Sequence, residues 1–199
     1  MASIQTGLTL GKHYSEECSL YPYLRVANVQ DGRIDIEDIA TIDIPEALAS
    51  HHLLHQGDVL MTEANGNPDK IGRGAVWHAE LQPCLHQNHV FALRSDLSSL
   101  KPEYLALCMG SAWGRAYFRA TSTQVGIAST NASKIRRFPI PLPPIEEQER
   151  MLAVLEERFA HLDKIESEIR TQLQLLSEHR QALITIAVTG QLDPTRSAA

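Results

Sequence analysis

The chain has 199 residues, which is enough for one domain, or for one domain with a long appended element. Apolar residues make up 43% of the sequence and charged residues 21%, as in soluble globular proteins, and no apolar run approaches the about 18 residues of a membrane-spanning helix. The formal net charge of -6 disfavours a chain that binds nucleic acid strongly by itself.

The acidic excess is uneven along the chain. Residues 1–143 carry 14 acidic and 12 basic side chains, whereas residues 144–199 carry 10 acidic and 6 basic ones. The first region is therefore close to neutral, and a modest DNA affinity is compatible with it.

The cysteines and the N-terminus indicate a compartment. Cys18, Cys84 and Cys108 are odd in number and widely spaced, which argues against a disulfide framework. The first residues lack a basic segment followed by an apolar stretch, so no secretory signal is expected. Together these features predict that the protein resides in the reducing cytoplasm.

The first region predicts a strand-rich domain, and the fold class of the whole chain is therefore α+β. Alternating and β-branched residues favour four strands, a helix follows them, and polar residues then favour a loop and a short turn. In chain order the predicted elements are strands at 23–29, 58–62, 74–77 and 89–94, a helix at 102–119, a loop at 122–133 and a turn at 134–138.

A proline-rich segment separates this region from the rest of the chain. Residues 139–144 contain four prolines, which exclude a helix interior and predict an extended connector. The last of these prolines can begin a helix, because its missing N–H costs nothing there. Gly190 is a typical C-terminal helix cap, and Pro194 follows it. We therefore predict a long helix over 145–190 and a short tail over 191–199.

Apolar residues in the predicted helix are spaced alternately by three and four positions. This 3.5-residue repeat is typical of a coiled coil. A long helix packed on its own domain is the simpler alternative, but the stripe is too narrow and regular for it. One helix cannot bury its own stripe, so the pattern predicts a second helix as partner. The seam positions are Leu152, Leu155, Phe159, Leu162, Glu166, Ile169, Leu173, Leu176, Arg180 and Leu183.

The sequence contains no recognisable catalytic motif. Residues 66–73 superficially match a phosphate-binding loop, but the second glycine is one residue late and no Lys-Ser or Lys-Thr pair follows. The glycine fingerprint of dinucleotide-binding proteins, the Gly-x-Ser-x-Gly of hydrolases and the Asn-Pro-Pro-Tyr of adenine methyltransferases are absent as well. We therefore expect no catalytic residue in this chain.

The strongest candidate for a metal site is a short Cys-His cluster. Cys84, His86 and His89 offer a thiolate and two imidazoles within six residues. On a strand, however, Cys84 and His86 face one way and His89 the other. A fourth ligand would have to come from the histidines of 51–55. Ordinary core and surface roles are therefore favoured, and we predict no metal site.

Two polar segments that also contain basic residues, 65–73 and 122–134, are the remaining candidates for function. Asn and Gln can pair with adenine and Arg or Lys with guanine, while Lys, Ser and Thr commonly hold phosphates. Solvated turns are the simpler interpretation, and composition alone favours it. The candidate DNA-contacting residues are Lys12, Asn65, Asn67, Lys70, Arg73, Gln124, Ser129, Thr130, Asn131 and Lys134.

Motifs along the whole chain match one known family. The end of the connector reads Pro-Leu-Pro-Pro-Ile-Glu-Glu-Gln at 141–148, and the end of the helix reads Arg-Gln-Ala-Leu-Ile-Thr-Ile-Ala-Val-Thr-Gly at 180–190. The first region contributes Tyr-Leu-Arg-Val-Ala-Asn-Val at 23–29, Gly-Asp-Val-Leu at 57–60 and Gln-Asn-His-Val-Phe at 87–91. With these motifs, the sequence resembles the specificity subunit of type I restriction-modification systems.

This resemblance implies a fold, a function and partners. The family's usual subunit has two target-recognition domains, each followed by a long helix, and each domain reads one half of a split double-stranded DNA target. Methyltransferase (modification) subunits dock on it, and translocase-nuclease (restriction) subunits join for cleavage. The specificity subunit is non-catalytic, so S-adenosylmethionine, ATP and Mg are expected only in partner subunits. The resemblance implies a target-recognition domain over 1–138 and a spacer helix over 145–190, half of a usual subunit.

The partner of the long helix is expected to be a second copy of the chain. An antiparallel, two-fold symmetric homodimer would bring Glu166 of each copy toward Arg180 of the other. Such a buried charge pair fixes the register of the two helices more than it adds to the stability of the dimer. Two alternatives stay open. One is an adaptor that docks methyltransferase subunits through its helix without reading DNA. The other is a small enzyme that uses the Cys-His cluster.

Overall fold

The computed structural model describes residues 2–67, 70–125 and 127–191, and for residues 124, 125 and 127 it describes the backbone only. The chain divides after Arg150 into two compact units. Within the described ranges, no helix combines the length and the apolar character that a bilayer crossing requires.

The first unit mixes strands and helices, which confirms the predicted α+β class. Its strands are β1 (Ala2–Thr6), β2 (Ser19–Leu24), β3 (Ala40–Ile44), β4 (Val59–Thr62), β5 (Ala64–Asn65), β6 (Gly74–Val76), β7 (Leu85–His86), β8 (Val90–Ser95), β9 (Thr123–Val125) and β10 (Ile127–Ser129). The helices of the chain are α1 (Glu46–Ala49), α2 (Pro102–Gly110), α3 (Ala112–Thr121), α4 (Ala132–Arg136) and α5 (Ile145–Val188).

A four-stranded antiparallel sheet in the order β1-β8-β4-β6 contains most of the strands that the sequence predicts. All four residues of β4 are buried, which explains why its sequence is continuously apolar up to Thr62 instead of alternating. Helix α2 packs against β4 and β6. Two smaller sheets have the orders β3-β2-β7 and β5-β10-β9.

The predicted strand at 23–29 is wrong in its second half. Strand β2 ends at Leu24, and a 3-10 turn follows at Val26–Asn28. The buried Asn28 side chain holds this turn, since its Oδ1 accepts from the backbone N–H of Arg25 (2.8 Å) and its Nδ2 donates to the carbonyls of Asp35 and Asp38 (2.9 Å each). Such local side-chain bonds compete with the ladder of a sheet.

The predicted helix at 102–119 is present but is divided at Ser111. The Ser111 backbone is extended, and its Oγ accepts a hydrogen bond from the N–H of Gly114 (3.1 Å), which caps the start of α3. A Cβ atom at Gly114 would overlap the carbonyl of Met109 in α2. The glycine therefore permits the tight corner between the two helices.

The long helix predicted from the heptad pattern is confirmed. At 1.5 Å per residue, the 44 residues of α5 span about 66 Å. Gly190 ends the helix in the left-handed conformation (φ 71°), and the N–H of Gln191 donates to the carbonyl of Ile186 (3.0 Å), as a glycine cap requires. Pro194, predicted to follow the cap, lies outside the described residues.

Candidate nucleic-acid interface

The two polar segments singled out in the sequence lie side by side in the structure. Strands β5 and β10 pair antiparallel, with Asn65 opposite Ala128 and Ala64 opposite Ser129. Strand β10 pairs in turn with β9. The N–H of Thr130 extends the pairing by donating to the carbonyl of Glu63 (2.8 Å). Segments that are far apart in the sequence therefore share one three-stranded sheet.

The predicted loop at 122–133 is accordingly wrong, because most of it forms the β9-β10 hairpin and the start of α4. Thr123, Val125 and Ile127 are β-branched and alternate with other residues, so a strand signal is present. Three-residue strands are not stable alone, and here β5 supplies the partner. The predicted turn at 134–138 is helical in its first three residues, which belong to the short helix α4.

Most of the predicted DNA-contacting residues lie on this sheet or beside it, with accessible side chains. Lys12 is exposed but lies between β1 and β2, outside the sheet. The backbone of Gln124, in β9, lies opposite Ala128 of β10, whereas the Gln124 side chain is outside the described part of the structure. The exposed members are Asn67, Lys70 and Asn131, and the partly exposed members are Asn65, Arg73, Ser129 and Lys134.

Thr130 is the exception among the predicted contact residues. Its side chain is only 3% exposed, and its backbone N–H is bonded to Glu63. A side chain at this depth supports the sheet and does not reach a ligand at the surface, so the expectation of a DNA contact at Thr130 needs correction.

Lys134 is held in a fixed position beside the hairpin. Its Nζ donates to Oγ1 of Thr123 (2.8 Å), and its carbonyl accepts from the hydroxyl of Tyr117 (2.7 Å). Its backbone N–H donates to Oδ1 of Asn131, which caps α4 (3.0 Å). These bonds position the ammonium group before any ligand arrives, which reduces the entropy that binding has to remove.

The other polar segment turns back on itself through Asn65. The Oδ1 atom of Asn65 accepts from the N–H of Asn67 (2.9 Å), and the N–H of Lys70 donates to the carbonyl of Asn67 (2.9 Å). An asparagine that bonds the backbone two residues later stabilises such a turn. The turn presents Asn67 and Lys70 at the surface next to the hairpin.

The sequence reasoning missed a concentration of positive charge in the same region. From Ala112 to Arg137 the chain carries five basic side chains and no acidic one. Arg115 and Arg119 are four residues apart in α3 and therefore share a face of that helix. A charge count in short windows would have found this segment, whereas the count over residues 1–143 averaged it with acidic segments.

The structure does not gather the Cys-His cluster into a metal site. The buried Nδ1–H of His86 donates to the carbonyl of Val90 (2.7 Å), whereas the exposed His89 contacts Oε2 of Glu63 (2.6 Å). Burial lowers the pKa of His86 to about 4 and raises the pKa of the Cys84 thiol to about 12. Among the described residues, no three or more His, Cys, Asp or Glu side chains are placed to bind a metal ion.

Comparisons with known proteins agree on one family. Residues 2–175 match the family model of the type I restriction modification DNA specificity domain. The specificity subunit of the type I restriction enzyme EcoKI from Escherichia coli K12 is 28% identical over 174 residues, which cover 86% of this chain and 37% of that subunit. The corresponding StySPI subunit from Salmonella potsdam is 26% identical over 170 residues, again covering 37% of its length.

The fold is similar to that of a solved structure. The HsdS subunit from Thermoanaerobacter tengcongensis aligns with a TM-score of 0.61 and 16% identity, covering 92% of this chain and 45% of that chain. The present chain thus spans less than half the length of the relatives that it matches.

Proposed function

Since residues 2–175 match its family model, this chain belongs to the type I restriction-modification DNA specificity domain family, and we propose that it reads one half of a bipartite DNA target. The observation that carries this proposal is the pairing of β5 with β10, which sets two polar segments on one surface. The positive charge between Ala112 and Arg137 supports it, because attraction to phosphates is common to proteins that bind DNA.

The roles on this surface follow from side-chain chemistry. Amide groups can pair with the edge of adenine in the major groove, and Asn67, Gln124 and Asn131 are therefore assigned to base reading. The ammonium groups of Lys70 and Lys134 suit phosphates, which fix the position of the protein but carry no sequence information. The pairing of β5 with β10 brings together the two segments that carry these residues.

The partners belong to the same proposal. Methyltransferase subunits dock on the chain, and translocase-nuclease subunits join them for restriction. The chain is a non-catalytic component of the assembly, and S-adenosylmethionine, ATP and Mg belong to the partner subunits. With a net charge of -6, the chain alone binds DNA weakly and needs the methyltransferase subunits to enclose the duplex. We propose the cytoplasm as the location of the chain and its partner subunits.

We further propose that α5 forms an antiparallel coiled coil with a second copy of the chain. Its seam is open to solvent, with Leu173 61% and Leu176 64% exposed, and soluble monomers rarely tolerate such a surface. A two-fold axis near Leu173 places Glu166 of one copy near Arg180 of the other. Within its own helix Glu166 bonds Arg170 (2.6 Å), so a pair between copies would share or replace that contact.

The alternative is an adaptor that docks methyltransferase subunits through α5 without reading DNA, and the exposed seam is the observation that favours it. The two functions differ in what directs methylation. A recognition subunit directs the methyltransferase to one sequence, whereas an adaptor gives the methyltransferase no sequence preference.

The test is to map methylated adenines in a host that expresses the chain with its methyltransferase subunit. We expect one motif with two identical, inverted halves. Asn67→Ala and Gln124→Ala should each relax one position, by about 1–3 kcal/mol of discrimination. Gln56→Ala, at an exposed position outside the β5-β10-β9 sheet, is the control and should leave the motif unchanged. Methylation without sequence preference would favour the adaptor.

A further inference from the structure

A small cleft with basic walls lies beside the candidate interface. Its volume is about 180 Å³, and the corner between α2 and α3 and the segment that precedes β6 contribute to its lining. Three basic side chains line it, Lys70, Arg73 and Arg115, together with the carboxylate of Asp31. Among the described lining residues the balance of charge is therefore positive, in a chain whose total charge is negative.

A glycine brings the two walls of the cleft together. Gly72 has a φ of 77° and lies against Phe118 of α3, so that a Cβ atom at this position would come within 2.5 Å of the aromatic ring. Any other residue would push the segment away from the helix. Close approach at Gly72 thus sets Lys70 and Arg73 opposite Arg115.

Arg115 is held at the cleft by two contacts. Its Nε donates to the carbonyl of Gly110 (2.9 Å), and its Nη2 donates to Oδ2 of Asp31 (2.9 Å). Both side chains of this ion pair are about half exposed, with relative accessibilities of 50% and 51%. An ion pair with such exposure contributes little to stability, so a stronger anion can take the place of the carboxylate.

Arg73 supplies a donor that the fold leaves unused. Its Nε is buried and has no hydrogen-bond partner within the described part of the chain. A buried donor without an acceptor is costly, so the guanidinium of Arg73 is incompletely satisfied in the free protein. The guanidinium groups of Arg73 and Arg115 both suit phosphate, which accepts two parallel bonds from one arginine.

The size of the cleft limits what it can hold. Sites for small molecules commonly measure about 300–1,000 Å³, which is well above the volume found here. A single phosphate group fits this space better than a whole nucleotide does.

We propose that this cleft binds one backbone phosphate of the DNA duplex, with Arg115 as the principal ligand. Lys70 and Arg73 flank the phosphate, and Asp31 is an internal counter-ion that the phosphate displaces. Arg73, assigned to DNA contact from the sequence, is thus given to the backbone rather than to a base. This inference rests on the proposed DNA-reading function and adds Arg115 and Asp31 to it.

The cleft is linked directly to the base-reading turn. The N–H of Lys70 donates to the carbonyl of Asn67 (2.9 Å), so a residue that flanks the cleft is hydrogen-bonded to the residue assigned to base reading. Phosphate contacts set the register of a protein on DNA, and base contacts then read the sequence. The bound phosphate would define the register in which Asn67 meets its base.

The test measures binding of the chain, in complex with its methyltransferase subunits, to a duplex of random sequence by fluorescence anisotropy. Arg115→Gln should weaken binding roughly tenfold, and the slope of log K against log salt should fall by about one unit between about 50 and 200 mM salt. Asp31→Asn should do the opposite and strengthen binding several-fold, because it removes the competing carboxylate. Arg158→Gln, at an exposed position of α5, is the matched control.

The gain expected for Asp31→Asn keeps the test decisive even if Arg115→Gln is poorly folded. Unchanged affinity and salt slope for Asp31→Asn, or for a folded Arg115→Gln, would overturn the phosphate site. If Asn67→Ala still alters the methylation motif in that case, the proposed function survives and only the cleft is misassigned. If the wild-type complex binds no DNA, the proposed function fails first. Binding of inorganic phosphate that Arg115→Gln abolishes, with duplex binding unaffected by the variants, would overturn the DNA-phosphate site and assign the cleft to a free anion instead.

Discussion

Gln148 in the first turn of α5 accepts a hydrogen bond through its Oε1 from the backbone N–H of Lys101, the residue that precedes α2 (3.0 Å). Its Nε2 donates to the carbonyls of Ser99 (3.0 Å) and Pro143 (2.9 Å), and the side chain is fully buried. The Nζ of Lys101 also pairs with Glu149 (2.5 Å). One glutamine of the Glu-Glu-Gln motif therefore joins the connector, the start of α2 and the start of α5.

Gln148→Ala should lower the free energy of unfolding by roughly 1–3 kcal/mol, because it leaves the partly buried N–H of Lys101 and the facing carbonyls without this partner. Gln148→Glu should cost more, since it points a carboxylate at the carbonyls of Ser99 and Pro143. Chemical denaturation followed by circular dichroism measures both. Glu146→Ala, on the exposed side of the same turn, serves as control, and equal midpoints for it and Gln148→Ala would contradict the role of Gln148.

His86 should make the stability of the protein fall in mild acid. Burial lowers its pKa from 6.5 to about 4, so between these values the unfolded chain binds a proton that the folded chain does not. The stability that neutral His86 confers is complete above about pH 6.5 and is lost as the pH falls toward 4, by roughly 3 kcal/mol. His86→Gln should flatten this part of the curve of unfolding free energy against pH. The exposed His78→Gln should not, and identical curves for both variants would exclude His86 as the cause.

Lys134→Ala should weaken binding to every DNA sequence alike and lower the salt slope by about one unit, because its ammonium group is assigned to a phosphate. Thr123→Val removes the acceptor that holds Nζ and should have a smaller effect in the same direction. Titration of random and target duplexes at several salt concentrations measures both. Lys164→Ala, which removes the same charge from an exposed position of α5, is the control. A loss confined to the target duplex would reassign Lys134 to base reading.

Leu173→Asp should dissociate the proposed homodimer. It places a charge at the centre of the seam in both copies, and the lost apolar burial alone is worth about 1.5–3 kcal/mol per leucine, so the dissociation constant should rise about a hundredfold or more. Thr171→Asp adds the same charge on the opposite side of the helix and should leave the dimer intact. Multi-angle light scattering reports the mass of each. A wild-type chain that stays monomeric at micromolar concentration rules out the assembly.

Elements that are long or buried could be predicted from the sequence, and elements that depend on distant partners could not. The 44 residues of α5 and the apolar β4 and β8 have patterns that local geometry dictates. The two-residue β5 and the three-residue β9 and β10 exist because they pair with each other across the chain. The end of β2 depends on one buried side chain, Asn28, whose partners lie beyond the strand.

The candidate site could likewise be predicted only in part. The residue types of Asn67, Lys70 and Lys134 indicate nucleic-acid contact wherever they are exposed. The depth of Thr130 and the proximity of Arg115 to Lys70 depend on tertiary packing, and no local pattern encodes either. For this reason the sequence identified the segments of the interface but neither its buried member nor its cleft.

The register between β5 and β10 rests on main-chain pairing, which does not depend on the identity of the side chains that point outward. Exposed residues such as Asn67 can be exchanged while this pairing and the buried residues beneath it are kept. If the chain reads DNA as proposed, a lineage that carries this scaffold acquires a new target sequence through a few surface substitutions, without rebuilding the fold.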